Sequence, residues 1–320
     1  MRATGLTDTG RKRRRNEDAF VCEPPLFAVA DGMGGAQAGE VASQLAAAAL
    51  REARDAPVDA EALVSLIQEA NRRVYARSNE DPTASGMGTT MTVALVQDGH
   101  VVIGHVGDSR AYRLRDGQLE QLTEDHSLVN ELMKSGRLSP EEAETHPQRS
   151  VITRALGTDP DVDVDTFVVE TREGDLYLLC SDGLTTMLDD ESILELIERN
   201  RTDLDRAARA LVHAANRGGG EDNITVVAFE ISEVEEALEK TRERVPIPAG
   251  DEDEDTLSEL DAVPAVDTMV VSPEDAEKLF EAHEAVVGHE GRRGPGPAFV
   301  VVALLVVLAV AAVLVWRLAF

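Results

Sequence analysis

The chain has 320 residues, 43% of them hydrophobic, and a formal net charge of −29. That length suits one large domain or two small ones with a sizeable buried core, and so strong an excess of acid argues against nucleic acid as a partner. The two cysteines, Cys22 and Cys180, each lie in an apolar run and are expected as buried free thiols rather than as a disulfide.

The first feature in chain order is "RKRRRNEDAF" at 11–20, where five basic residues run straight into Glu17 and Asp18. Strand-like alternation would set Arg11, Arg13 and Arg15 on one face and Lys12 and Arg14 on the other. No apolar stretch long enough for a signal peptide follows them. "LFAVADG" (26–32) reads as a strand ending in a turn, and "EVASQLAAAALREAR" (40–54) as an alanine-rich helix. The segment 59–79 sets Leu63, Leu66, Ile67, Ala70 and Val74 on one helical face, with Asp59 as N-cap. From Thr89 to Thr123, β-rich runs are separated by Asp98-Gly99 and Asp116-Gly117, both hairpin signals, which predicts an antiparallel meander. Helical patterns return at 127–135, 190–198 and 203–217, and strands at 174–183 and 223–231. Strands in runs with grouped helices predict an α+β architecture over residues 1–231.

Composition changes after residue 231. Residues 232–291 hold 4 Lys/Arg against 19 Asp/Glu, a net of −15, and include "DEDED" at 251–255. Residues 232–297 are therefore expected to be an acidic, largely disordered linker, with Thr256 and Thr268 beside acids as candidate phosphorylation sites. Residues 298–316, "AFVVVALLVVLAVAAVLVW", contain no charge and are expected to form a transmembrane helix. Trp316 stands at one edge, and Arg292 and Arg293 precede the run, which by the positive-inside bias leaves the large N-terminal part in the cytoplasm. The expected protein is single-pass and located at the cell membrane.

Four segments each end an apolar strand on an acid: "VADG" with Asp31, "HVGDSR" with Asp108, "LCSDGL" with Asp182 and "GEDNITVV" with Asp222. One such Asp is ordinarily a turn former. Four together suggest hard divalent cations, which take oxygen ligands, and Gly32 after Asp31 would let a cation approach a main-chain carbonyl.

In order, "RxxNED", "ADGMGG", "GMGTTMTVAL", "VGDSRAYRL", "DHS", "HPQRSVITRALG", "SDGL" and "EDNITVV" resemble the motifs of the metal-dependent type 2C (PPM) family of protein serine/threonine phosphatases, in its bacterial branch. The resemblance spans residues 1 to about 231. It implies a four-layer α-β-β-α sandwich with two central antiparallel sheets. It also implies hydrolysis of phosphoserine and phosphothreonine by in-line attack of a water or hydroxide bridging two Mn²⁺ or Mg²⁺ ions. Asp31 resembles the carboxylate that bridges both ions, Gly32 offers its carbonyl, and Asp182 and Asp222 resemble the other core ligands. Asp108 resembles a ligand of a third, weaker ion that shares Asp182. Glu17 and Asp18 resemble acids joined to the metals through water. Arg13, three residues before Asn16, resembles the phosphate-binding arginine; a guanidinium can grip two phosphate oxygens at once.

Met33 stands where some relatives carry a general-acid histidine, and a thioether cannot donate a proton. His126 and His146 are expected to be structural or on the surface. Residues 130–157 correspond to the family's flap, where Arg149 and Ser150 are candidate contacts to metal or phosphate. Expected partners are phosphoproteins, including cytoplasmic serine/threonine kinases, and the membrane, with the protein monomeric. The rival readings are a catalytically inactive binding module on the same fold, a membrane scaffold and a nucleoside triphosphatase. The last is disfavoured because no G-x-x-x-x-G-K-[ST] run occurs.

Overall fold

The computed structural model describes residues 1–34, 38–52, 60–97, 99–144, 146–232 and Met269–Val270. The chain divides into residues 1–272 and 273–320, and every described residue belongs to the first unit. Among the described residues no helix is long and apolar enough to cross a membrane. The expected anchor at 298–316, Asp59, Thr256, Thr268 and most of the 232–297 linker lie outside them.

Two antiparallel sheets form the centre. The first holds β1 (Arg2–Asp8), β7 (Arg110–Arg115), β8 (Gln118–Gln121), β11 (Leu176–Cys180) and β12 (Ile224–Glu230), ordered β1-β12-β11-β7-β8. The second holds β2 (Asp18–Glu23), β3 (Leu26–Met33), β5 (Met91–Gln97), β6 (His100–Val106) and β10 (Asp165–Glu170), ordered β10-β6-β5-β3-β2, with the short β4 (Gly88–Thr89) added to β3. The meander expected from Thr89 to Thr123 is present. Its second turn places Asp116 and Gly117 at φ 52° and 74°, the left-handed pair that matches the twist of a two-residue hairpin.

Helices α1 (Ala38–Glu52) and α2 (Ala60–Glu80) cover the second sheet. Helices α6 (Asp190–Arg199) and α7 (Leu204–Gly218) cover the first. Three shorter helices, α3 (Leu128–Lys134), α4 (Pro140–Glu144) and α5 (Asp182–Thr185), lie between strands. Strand alternation explains why this makes four layers. Along β3, Ala28 and Ala30 face α1, whose alanines let helix and sheet approach closely, whereas Phe27 and Val29 face the other sheet. Phe27 stacks on Phe229 with centroids 4.1 Å apart, and Phe229 stacks on Tyr177 at 5.1 Å. The expected α-β-β-α sandwich is therefore observed for the globular part.

One expectation is corrected. Residues 11–15 are not a strand but part of the loop joining β1 to β2, so no two-face alternation exists there. Arg11 and Lys12 donate their amides to Gly220 O at 2.8 and 3.2 Å; this curls the loop and leaves Arg13 as the one half-buried residue of the five. Within 232–297, Met269–Val270 form a short strand, β13, parallel to β9 (Val151–Ile152). Nothing in the composition of the segment signalled that pairing.

Candidate metal centre

The acids predicted to act together are brought together at one end of the two sheets. Asp18 and Asp31 are direct cross-strand partners on β2 and β3. Asp108 follows β6, Asp182 opens α5 just beyond β11, and Asp222 lies two residues before β12. Both sheets thus contribute acids to the cluster. The backbone of Asp31 is fixed by threonines: Thr90 N–H donates to its carbonyl at 2.9 Å, Thr89 Oγ1 donates to the same oxygen at 2.8 Å, and Asp31 N–H donates to Thr90 Oγ1 at 2.9 Å. Gly32 follows, still within β3 and closely surrounded. A Cβ there would fall 2.1 Å from Gly39 O and 2.5 Å from Glu17 O, so no other residue fits without moving the start of α1.

Asp18 is held by two hydroxyls, with Ser181 Oγ and Thr225 Oγ1 donating to its Oδ2 at 2.9 and 2.5 Å. These donors come from the opposite sheet, so Asp18 positions the cluster across the layers. Glu17 contributes through its backbone: its N–H donates to Asn223 Oδ1 at 2.7 Å, and its carbonyl accepts from Ser43 Oγ at 2.6 Å. Asn223 also donates from Nδ2 to Thr9 O and Arg15 O at 2.9 and 2.8 Å. Asn223 thereby fixes the basic loop against the acids. Sequence reasoning assigned no role to Asn223, Thr89, Thr90, Ser181 or Thr225, although all five lie inside or beside the motifs it singled out.

Electrostatics show how close the acids are. Burial, and then the charges of Asp18, Asp182, Asp222 and Asp108, push the Asp31 carboxyl well above its usual range. Burial followed by Asp108, Asp222 and Asp18 does the same to Asp182. Asp18 is pushed up to about 7, chiefly by burial against the opposing hydroxyl hydrogen bonds; Asp108 also rises to about 7, by burial and then by Asp125. Arg110 engages Asp125 through both Nε and Nη2, and its charge only partly offsets the rise at Asp108. Three buried oxygens, Asp18 Oδ1, Asp108 Oδ1 and Asp182 Oδ1, have no hydrogen-bond partner. Orphaned carboxylate oxygens in a cluster of mutually repelling acids are costly, and hard divalent cations remove both costs. Among the described residues no three acidic, imidazole or thiolate groups enclose one point as a closed cage would, so the fit rests on charge and on the orphaned oxygens.

Arg13 reaches into the cluster. Its Nη2 donates to Asp222 Oδ2 at 2.7 Å, while Asp222 Oδ1 accepts from Asn223 N–H at 2.7 Å. The expected phosphate-binding arginine and the expected metal ligand are thus paired with each other. Met33 is buried and offers no proton. His126 is buried and structural: Gly107 N–H donates to its Nδ1 at 3.0 Å, which places the ring proton on Nε2, facing Asp165 Oδ2 at 3.2 Å. His146 is buried too, accepting from Gln148 N–H at Nδ1. Arg149 is exposed, and no recorded contact joins Arg149 or Ser150 to the acids. A groove of about 690 Å³ between α6 and α7, lined by Arg199, Arg206, Arg209 and His213, belongs to the outer helical layer and shares no residue with the acid cluster.

Residues 10–216 match the family model described as protein phosphatase 2C. The chain is 45% identical over 242 residues to the serine/threonine phosphatase stp of Listeria monocytogenes serotype 4b (strain F2365), covering 72% of this chain and 96% of that one. It is 43% identical over 234 residues to the serine/threonine protein phosphatase PstP of Mycobacterium tuberculosis, covering 72% of this chain and 45% of that one. Among solved structures it is similar to M. tuberculosis PstP/Ppp, with TM-score 0.69 and 42% identity over 72% of this chain and 99% of that one. It is also similar to the catalytic domain of PstP in complex with two manganese ions, with TM-score 0.67 and 40% identity over 72% and 98% of the two chains.

Proposed function

This chain belongs to the protein phosphatase 2C family, and from that premise we infer that it hydrolyses phosphoserine and phosphothreonine in proteins at the acid cluster described above. The observation that carries the reading is the set of buried, mutually repelling carboxylates with three orphaned oxygens, drawn from both sheets. Asp31, the carbonyl of Gly32, Asp182 and Asp222 would hold two Mn²⁺ or Mg²⁺ ions, and Asp108 with Asp182 a third. Bound there, such ions supply Lewis acidity, which lowers the pKa of water and offsets the charge of a phosphoryl group.

The protein's own groups do the rest. Asp18 and Glu17 orient the cluster through Ser181, Thr225, Asn223 and Ser43. Arg13 turns from Asp222 to the phosphate, where its planar fork can donate to two oxygens. It stays charged throughout and so orients substrate without changing its own proton count. Neither Met33 nor His126, whose ring nitrogens are both engaged, delivers the proton that the departing serine or threonine oxygen requires.

Substrates of the proposed enzyme include cytoplasmic serine/threonine kinases. Residues 298–316 anchor it at the cell membrane as a monomer, with residues 1–231 on the cytoplasmic side. Nineteen consecutive uncharged residues and the preceding Arg292 and Arg293 support that part. Two experiments test the reading. Hydrolysis of a phosphothreonine peptide should vanish after EDTA treatment and dialysis and return with Mn²⁺; full activity in the chelated protein would overturn the metal assignment. The full chain should sediment with membranes and residues 1–297 should not; equal sedimentation would overturn the anchor.

A further inference from the structure

The tail returns to the domain at one place. Met269 and Val270 pair in parallel with Val151 and Ile152 of β9. Ile152 is also bridged to Ser127 in antiparallel fashion, so β9 is held by Ser127 and by the tail together.

The chain just past β9 is tied to two segments that carry acids of the cluster. Thr153 N–H donates to His126 O at 2.9 Å, and His126 in turn exchanges two hydrogen bonds with Gly107, the residue before Asp108. Three residues further on, Leu156 and Thr89 exchange backbone hydrogen bonds at 2.9 and 3.0 Å, and Thr89 Oγ1 donates to Asp31 O. The strand is therefore pinned between the segments that carry two of the expected ligands. An extended peptide on its edge therefore pairs with a strand whose continuation is tied to both of those segments.

We propose that this edge of β9 is the peptide-docking edge of the phosphatase. It takes the extended phosphorylated segment of a protein substrate through main-chain hydrogen bonds, and Met269–Val270 is an internal competitor for it. The proposal rests on the phosphatase reading above. Strand addition suits such an enzyme because main-chain bonding supplies affinity that depends little on side-chain sequence. Among the described residues the tail meets the edge at Met269 and Val270, a short pairing that a longer substrate segment can displace. Residues 233–268, thirty-six in all, join it covalently to Ser232, so it meets the edge as an intramolecular ligand. A short intramolecular ligand holds the edge part of the time and yields to a substrate segment, so its signature is competition rather than blockade.

The test uses the full chain and a full-length variant with Met269→Pro and Val270→Pro, which strips both tail amides of their hydrogens and leaves residues 1–231 unchanged. Steady-state kinetics are measured at saturating Mn²⁺ on a phosphothreonine peptide and on p-nitrophenyl phosphate. The variant should show a peptide KM about threefold lower with kcat unchanged, and p-nitrophenyl phosphate kinetics equal to those of the parent chain. A synthetic peptide of residues 263–274 should raise the variant's KM for the phosphopeptide without altering kcat. An unchanged or increased peptide KM in the variant would overturn the proposal, as would inhibition by the synthetic peptide that lowers kcat. Failure of both chains to hydrolyse p-nitrophenyl phosphate would overturn the phosphatase reading itself, and the proposal with it.

Discussion

Asp31 and Asp222 show at the scale of single residues how much of the site rests on charge. Each is expected to hold a cation, so Asp31→Asn or Asp222→Asn should lower kcat on a phosphopeptide by about a hundredfold or more and raise the Mn²⁺ concentration needed for half activity. Arg13→Ala should act differently, raising KM more than it lowers kcat, if the guanidinium holds substrate and transition state equally. Since Arg13 also neutralises Asp222, the variant should bind Mn²⁺ more tightly, a change that a titration of activity against Mn²⁺ would register. The pH dependence of stability turns on His105, which is fully buried with Nε2 donating to Glu124 O at 3.0 Å. Burial, and then the neighbouring His126, push its imidazole down to about 3 from 6.5. The unfolded chain therefore takes up this proton first as pH falls. The stabilisation from His105 is complete above pH 6.5 and drains away towards pH 3, by about 1.4 kcal/mol per pH unit within that window. Urea midpoints of the parent and a His105→Asn variant should converge as pH falls from 7 to 5. At this scale the clustering acids were legible in the sequence, because each sits at the end of an apolar run beside a glycine or polar turn. Their supports were not: a threonine or asparagine next to such an acid looks like ordinary turn chemistry until the fold shows which carbonyl it meets.

Among the elements, the meander and the paired helices could be read from period and turn residues, as Asp116-Gly117 and the apolar face of α2 show. β1, β2 and β10 were harder to see. β10 is an edge strand whose side chains are largely exposed and whose apolar run is only Phe167, Val168 and Val169, and β2 follows directly on the charged loop. The basic run was misread as alternating for the same reason; the hydrogen bonds of Arg11 and Lys12 to Gly220 O join residues about two hundred positions apart, which no local pattern encodes. The layer between the sheets is the element contact most sensitive to change. Phe229 is fully buried and stacks on Phe27 and Tyr177, with β12 central in its sheet. Phe229→Ala should cost about 3–5 kcal/mol through lost burial and the cavity left behind, measurable as a lower urea midpoint with the slope retained.

For the whole molecule, the acids of the cluster come from both sheets, so on the proposed reading cation binding would help to hold the layers in register. Asp18 and Asp108, raised to about 7, bind protons in the folded state that the unfolded chain has released. In the metal-free protein their contribution is fully present below about pH 3.8 and is lost as pH rises through about 7. Chelation should therefore lower the melting temperature more at pH 8 than at pH 5.5, with Mn²⁺ restoring it by preferential binding to the folded form. The aromatic stack between the sheets has an optical consequence. Of the three tyrosines, Tyr112 and Tyr177 are fully buried on adjacent strands of one sheet and Tyr75 is half-buried on α2, while the single tryptophan, Trp316, is not among residues 1–231. Near-ultraviolet circular dichroism of those residues thus reports mainly on rigid tyrosines in and around one sheet. If that band fades while the far-ultraviolet signal persists, the layers have parted with their strands still paired.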